Sequence, residues 1–467
     1  MTAIDTSIFK TYDIRGIYPN QLNENVMEDI TRAIFTFMSR KLKKTDMTIV
    51  LGHDMRLSSP VLHKIASETL QKCGAQVIDI GLIATPTMYF AVKNDSYDAG
   101  IQISASHNPK EYNGIKIVIR DGDSIIKIGK NAGMNNIITI VENNAFQDYA
   151  EGGSITKQDG VLGEEIDQAL LAVPINDVSN LKVVVDPANG MGILPITDLF
   201  DRLDATLLPM NFELDGTFPV HQADPLQHKT LRGLQAKVKE DHAQLGIAID
   251  GDADRAMFID ERGEIVPATL ITTIIAGEML KDNPGARILV DIRYIKNVEE
   301  MVKKMGGEVG YTKVGHALIT EQVNKEGALF AGESSGHYYF KSMGGCESTI
   351  RVILYVLNVL AREKKPFSQI LKSIHTSIES GEFNFRLPET VSAPQIIAEL
   401  ESNFSDGKLS KLDGIAISYP NWRFSVRTSN TEPLIRLNVE GTSSDIVKKK
   451  AEQIKDMLIK HGAKLHE

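Results

Sequence analysis

One pattern recurs three times along the chain and constrains its fold more than any other. A β-rich run is followed by a polar loop, a helical stretch and a second β-rich run. The first copy runs through 47–51, the loop G-H-D-M-R-L-S-S-P, a helical pattern opened by Pro60 that stops near Gly74, and 76–80. The second has 181–185, the loop D-P-A-N-G-M-G, then 193–203 and 205–209. The third has 287–290, 298–305 and 308–312. Such alternation is the signature of layered α/β structure with parallel strands. Self-similarity at this scale implies three related domains. Each copy leads into a later strand that ends in a polar loop: S-A-S-H-N-P (104–109), D-G-D-A-D-R (250–255) and G-E-S-S-G-H (332–337). Ligands bind beyond the carboxyl ends of such strands. Three loops of different chemistry are thus placed to converge on one cleft.

From about Ser377 the pattern changes. A helix is expected over 393–404, strands over 415–418, 422–426 and 434–439, and a last helix from about Ser444. This is an α+β tail without the earlier unit. The expected fold is α/β: three related mixed-sheet α/β domains plus a C-terminal α+β domain around a central cleft. The domains are expected at 1–152, 153–264, 265–376 and 377–467, the first boundary lying in the Gly-rich polar stretch 151–163. G-L-I-A-T-P-T (81–87) reads as a turn. The net charge of −10 argues against a general nucleic-acid or membrane-surface binder. Cys73 and Cys346 are too few and too far apart for a disulfide scaffold or a zinc site. With no signal-like N-terminal pattern and no long apolar run, a cytoplasmic location is expected.

In the first loop region, Ile101 and Ile103, then Ile115, Ile117 and Ile119, alternate with other residues, so two strands flank a loop. Between them lie Ser104, Ser106, His107 and two turn signals, Asn108-Pro109 and Asn113-Gly114, with Lys116 close by. The residues alone allow a nucleophile or a polar hairpin loop. A Ser-His hydrolase fits poorly, because adjacent side chains point apart in an extended chain and G-x-S-x-G is missing.

In the second loop, Asp250, Asp252 and Asp254 alternate, so three carboxylates can converge. Their repulsion calls for a cation, and hard oxygen ligands suit Mg²⁺. An EF-hand places Arg255 where a glycine is needed, and the flanks read as strands. A solvated acidic turn is the other reading. In the third loop, Glu333 and Ser335 lie two apart and suit vicinal sugar hydroxyls, or form an ordinary polar loop. In the tail, Arg427, Ser429, Asn430 and Thr431 combine a guanidinium with short polar side chains, as a phosphate cradle or a structural turn. F-K-T-Y-D-I-R-G (9–16), with Tyr12 and Arg15, reads locally as a surface loop, and His316 follows a helix start at Gly315.

These motifs, in this order, resemble the α-D-phosphohexomutase superfamily across essentially the whole chain. S-A-S-H-N-P followed by N-G-I-K resembles its phosphoserine loop and D-G-D-A-D-R its metal loop. G-E-S-S-G-H resembles its sugar loop and R-T-S-N-T-E-P its phosphate loop. F-K-T-Y-D-I-R-G and N-T-E-P-L-I-R-L-N-V-E are most similar to the phosphomannomutase/phosphoglucomutase branch. The phosphoglucosamine branch reads closer to F-G-T-D-G-I-R-G at the first of these.

The resemblance implies that Ser106 carries the phosphoryl group, with Ser104 as its local rival. It implies that Asp250, Asp252 and Asp254 hold Mg²⁺ together with an oxygen of phosphorylated Ser106. Glu333 and Ser335 would bind two ring hydroxyls, with His337 near the reacting oxygen, His316 in the cleft and Arg15 facing the site. Tyr12 joins the substrate-binding set. So does Arg293, which stands where many relatives have lysine, and Arg is planar and bidentate. Arg427, Ser429, Asn430 and Thr431 would take the substrate phosphate. Lys116, His337 and Arg15 are candidates for proton transfer or charge stabilisation.

The implied activity is an isomerase interconverting hexose 6-phosphate and hexose 1-phosphate, for mannose and also glucose. It would run through phosphoserine and a hexose 1,6-bisphosphate (glucose or mannose) that is both intermediate and activator. Expected partners are small hexose phosphates, with no nucleic acid or membrane, on a monomer or homodimer. The alternatives are a phosphoglucosamine mutase and a non-catalytic sugar-phosphate or Ca²⁺-binding protein.

Overall fold

The structure is a computed structural model that describes residues 4–388, 390–428 and 434–466. Its first three units share one plan. In the first, Thr48–His53 lies parallel to Gln76–Leu82 on one side and Ala99–Ile103 on the other, and Tyr112–Asp121 returns antiparallel. In the second, Lys182–Asp186 lies parallel to Thr206–Pro209 and Leu245–Ile249, and Ala256–Asp260 returns. In the third, Arg287–Asp291 lies parallel to Glu308–Thr312 and Phe330–Gly332, and Tyr338–Phe340 returns. The crossover helices are Ser59–Lys72, Ile193–Asp201 and Lys296–Lys304. Each candidate loop is therefore the same structural object: the hairpin connection that leaves the carboxyl end of the third parallel strand.

Hydrophobic alternation decides which face each strand buries. Ile49, Leu51, Ile101 and Ile103 point to a core under the Glu24–Leu42 and Ser59–Lys72 helices, while Val50 points the other way. That second face joins one continuous core running through all three units, including Met88, Val184, Ile247, Val290 and Ile353. Burying apolar surface on both sides of every junction fuses the three units mechanically.

The fourth unit is different. Its six strands pair antiparallel throughout, backed by Ala393–Asn403 and Ser444–Lys460. It has its own core around Phe385, Phe424, Leu437 and Ile454. Described contacts to the third unit include several polar ones. Arg423 donates to the Ile292 and Arg293 carbonyls, each at 2.9 Å, and Glu440 accepts from the Ile295 amide at 2.8 Å.

Three expectations need correction. Residues 81–87 are not a turn: Thr85–Asn94 is a helix with Pro86 in its first turn. It is buried nearly all round, so it lacks the amphipathic period that would have revealed it. The boundary after 152 cuts ahead of Ser154–Lys157, which extends the first sheet by pairing parallel with Gln76–Leu82. The boundary after 264 likewise cuts ahead of Ile265–Val266, which pairs with the second sheet. A further strand, Ile378–Arg386, was not expected in the tail; a bulge between Glu379 and Glu382 breaks its alternation.

Candidate active site

The Ser106 loop is held from beneath by one side chain. Arg56, fully buried, donates to the carbonyls of Ser106 (2.8 Å), Asn108 (2.7 Å), Pro109 (2.8 Å) and Tyr112 (2.9 Å). Asp54 balances its charge at 3.2 Å. With its carbonyls so fixed, the backbone at Ser106 sits at φ +50°, a left-handed conformation uncommon for serine. The Ser104 hydroxyl accepts from the Ser106 amide at 3.0 Å, so the rival serine braces the loop. The Ser106 hydroxyl itself donates to Asp250 Oδ2 at 3.0 Å and lies 3.2 Å from His107 Nδ1.

The Asp250 loop approaches from the second unit. A Cβ on Gly251 would meet the Ser106 carbonyl oxygen at 2.4 Å, so glycine is what lets the two loops touch. Asp250 Oδ1 accepts from the Asp254 and Arg255 amides at 3.1 Å, which curls the loop and turns Asp252 and Asp254 toward the same space. Lys116 Nζ lies between them, 2.5 Å from Asp252 and 2.6 Å from Asp254. Thr85, at the start of the unexpected helix, donates to Asp252 at 2.6 Å. Burial disfavours the Lys116 ammonium, but Asp252 and Asp254 outweigh it and hold the pKa above the usual lysine range. Asp250 is pushed well up by burial and by its two carboxylate neighbours.

This donor set fits a hard divalent cation. Ligand oxygens of Asp250, Asp252 and Asp254 lie within 4.8 Å of one another. Asp252 Oδ1 is buried without a hydrogen-bond partner among the described residues, and Asp254 Oδ1, buried too, has His337 Nε2 at 3.3 Å. Buried carboxylate oxygens left unsatisfied are costly unless something cationic completes them.

The third unit closes the opposite side. His337 bridges the Asp250 loop and the Glu333 loop, with Nε2 3.3 Å from Asp254 and Nδ1 3.0 Å from Glu333 and 2.9 Å from Ser335 Oγ. Burial and Arg255 work against its protonation, but Asp254 and Glu333 prevail and raise its pKa to about 9. Glu333 also accepts from Tyr339 at 2.9 Å, the Gly315 amide at 3.2 Å and Arg293 at 3.4 Å. Despite burial, His337 and Arg293 hold its pKa well below the usual carboxylate range. Burial, with Lys127 and Lys116, keeps His316 neutral; its ring lies 6.2 Å from His337 and 5.2 Å from Tyr12. The Tyr12 hydroxyl donates to the Val314 carbonyl at 3.1 Å, and Gly315 admits the ring, since a Cβ there would meet the hydroxyl at 2.2 Å. Arg15 pairs with Asp13 at 2.8 Å and donates to Asn108 of the serine loop.

Ser106, Lys116, the three aspartates, His337, Glu333, Ser335, Arg293, His316, Tyr12 and Arg15 are thus gathered from three units. Arg427 reaches this set through Glu382, which pairs with Arg427 at 3.2 Å and lies 4.0 Å from Arg293. Ser429, Asn430 and Thr431 lie outside the described residues. Sequence reasoning missed Arg56, Thr85, Arg255 and Glu382. The Asp54–Arg56 spacing at a strand end was the one legible hint.

Comparison with known proteins supplies the context. The chain matches the family described as phosphoglucomutase/phosphomannomutase in four consecutive segments. They are alpha/beta/alpha domain I over 6–148, domain II over 164–263, domain III over 269–377, and the C-terminal domain over 382–457. A phosphomannomutase of Methanocaldococcus jannaschii is 34% identical, with 99% of each chain covered. A phosphoglucomutase of Neisseria meningitidis is 32% identical, with 98% of each covered. The crystal structure of a phosphoglucomutase/phosphomannomutase family protein from Burkholderia thailandensis superposes with a TM-score of 0.88 at 30% identity, covering 99% of both chains.

Proposed function

Because the chain belongs to the phosphoglucomutase/phosphomannomutase family, we propose a specific course for its reaction. It is a phosphohexomutase, an isomerase that interconverts hexose 6-phosphate and hexose 1-phosphate. Mannose is the proposed substrate sugar, with glucose also accepted. Ser106 is the proposed carrier, phosphorylated in the resting enzyme. The observation that carries this is the contact between Ser106 Oγ and Asp250, 144 positions apart in sequence, inside a ring of buried charge.

The free hydroxyl of the sugar phosphate attacks phosphorus on Ser106. A new P–O bond to the sugar forms as the bond to serine breaks. The hydroxyl proton leaves, and the serine oxygen regains one. The product is a hexose 1,6-bisphosphate, which turns around and returns its other phosphate to Ser106. Phosphoryl transfer of this kind needs positioning and charge neutralisation above all. Asp250, Asp252, Asp254 and an oxygen of phosphorylated Ser106 are the proposed ligands of Mg²⁺, which when bound withdraws charge from the phosphate.

Lys116 and Arg15 serve as fixed cations beside the transferred group. A lysine held as ammonium donates and stabilises charge in preference to accepting a proton. In the return transfer, when Ser106 attacks the bisphosphate, His107 is the better acceptor of the serine proton: burial, with Arg255 and Arg15, keeps it neutral, and it lies 3.2 Å from the serine oxygen. Glu333 and Ser335 hold ring hydroxyls, His337 orients both, and His316 and Tyr12 line the sugar's path. Arg293 and Arg427, with Ser429, Asn430 and Thr431, take the phosphate that is not being transferred. A trace of glucose or mannose 1,6-bisphosphate primes any enzyme that has lost its phosphoryl group.

The test is phosphorus NMR of the full chain with Mg²⁺ and catalytic hexose 1,6-bisphosphate. Mannose 1-phosphate, glucose 1-phosphate and glucosamine 6-phosphate are supplied separately. Conversion of the first two, abolished by Ser106→Ala, is the expected result. Preference for the glucosamine substrate, or full turnover by Ser106→Ala, would overturn the proposal.

A further inference from the structure

In the fourth unit, Arg427 and Arg436 lie directly opposite each other on the paired strands Trp422–Thr428 and Leu434–Gly441. Like charges so placed repel, and Arg427 is buried. The neighbouring strand supplies a counter-charge. Glu382 Oε2 is 3.2 Å from Arg427 Nη2, and Glu382 Oε1 is 3.5 Å from Arg436 Nη1. Across the gap to the third unit, Arg293 Nη1 lies 4.0 Å from the same Oε2. One carboxylate therefore sits among three guanidiniums. Its exposure differs from that of two of them: the Glu382 side chain keeps 24% of its surface open, against 3% for Arg427 and 10% for Arg293, while Arg436, at 23%, is as open as the carboxylate. Glu382 can swing into water, whereas the buried arginines stay where they are. Carboxylate and phosphate meet a guanidinium through the same forked geometry, and a phosphate dianion brings the greater charge.

We propose that Glu382 is a resident anion that fills the arginine pocket until a phosphate displaces it, and that it thereby sets the affinity for sugar phosphate. This rests on the reading of Arg427 as a phosphate-binding residue. Displacement has a second effect. Glu382 is a polar link between Arg427 of the fourth unit and Arg293 of the third, so its release also loosens one tie between the two units.

Glu382→Gln keeps the shape and removes the charge. Isothermal titration of the full chain with inorganic phosphate should then give a Kd lower by on the order of tenfold, the worth of one charge-assisted contact. KM for hexose 1-phosphate should fall with it, while kcat does not rise. Glu382→Asp, which withdraws the charge by one methylene, should show a smaller gain in the same direction. The gain should vanish when Arg427→Ala is combined with Glu382→Gln. Unchanged or weaker phosphate binding in both Glu382 variants, at a native unfolding midpoint, would mean that the carboxylate merely holds the arginines, and the proposal fails. Should Arg427→Ala alone leave phosphate binding and KM intact, the reading of the pocket itself fails, and the proposal with it.

Discussion

Glu165 stands where the three fused units meet. It lies on the Val161–Ala172 helix, accepts from Thr87 Oγ1 of the Thr85–Asn94 helix at 2.7 Å, and feels Arg351 of the Thr349–Glu363 helix. Burial outweighs both neighbours and lifts its pKa from 4.5 to about 7. Between those values the folded chain binds a proton that the unfolded chain has lost. Stability contributed by this group is therefore present in full below about pH 4.5 and falls as pH rises through about 7. The gap corresponds to about 3 kcal/mol.

Glu165→Gln keeps the Thr87 hydrogen bond and removes the titration. Its urea midpoint should match the wild type near pH 4.5. At pH 8 the variant should be the more stable by up to about 3 kcal/mol. The comparison is between two chains at each pH, so titration of every other group cancels. A difference that stays constant with pH, or a wild type more stable than the variant at pH 8, would refute the reasoning. It would mean that the carboxylate is ionised and gains more from Arg351 than it loses by burial.

Two further outcomes are expected. Arg56→Met removes the cation paired with buried Asp54 and one donor from each of four carbonyls; it should cost about 3–5 kcal/mol in urea unfolding and lower kcat on the order of 100-fold by releasing the serine loop. Near-native values of both would show that the loop holds its own shape. Chelation should abolish turnover, Mg²⁺ should restore it, and the thermal midpoint should rise with Mg²⁺ in the wild type but not in Asp252→Asn. Full activity after thorough chelation would remove the metal from the mechanism.

Much of the site was legible because its residues sit in short loops at the ends of apolar strands. The spacing of Asp250, Asp252 and Asp254, or of Glu333 and Ser335, survives folding unchanged in kind. What sequence could not give were partners remote in the chain. The Asp54–Arg56 spacing hints at a charged pair, but not that Arg56 will gather four carbonyls some 50 residues away, since carbonyls leave no mark on side-chain pattern. Thr85 was hidden in a helix buried on every side, where periodicity vanishes. Glu382 was hidden by a bulge that breaks strand alternation. The recurring unit was read correctly as strand, helix, strand, and a hairpin was among the readings the residues around Ser106 allowed; that all three loops are the same antiparallel return emerges from the pairing.

The grip of Arg56 on the serine loop divides labour between enzyme and ligand. A serine whose carbonyl, and those of three neighbours, are pinned to one guanidinium is an anvil: it stays put while the work is turned. If Ser106 is the carrier proposed above, both ends of a bisphosphate must visit the same fixed point, and the sugar, not the protein, carries the burden of reversal. Recognition at the ring has to tolerate a molecule presented head first and then tail first. Contacts to hydroxyls that change places on turning keep their value in both passes. A substituent that does not change places, such as the one distinguishing mannose from glucose at carbon 2, is met by different surroundings each time. Acceptance of both sugars would then follow from the immobility of the serine, without any looseness in the pocket.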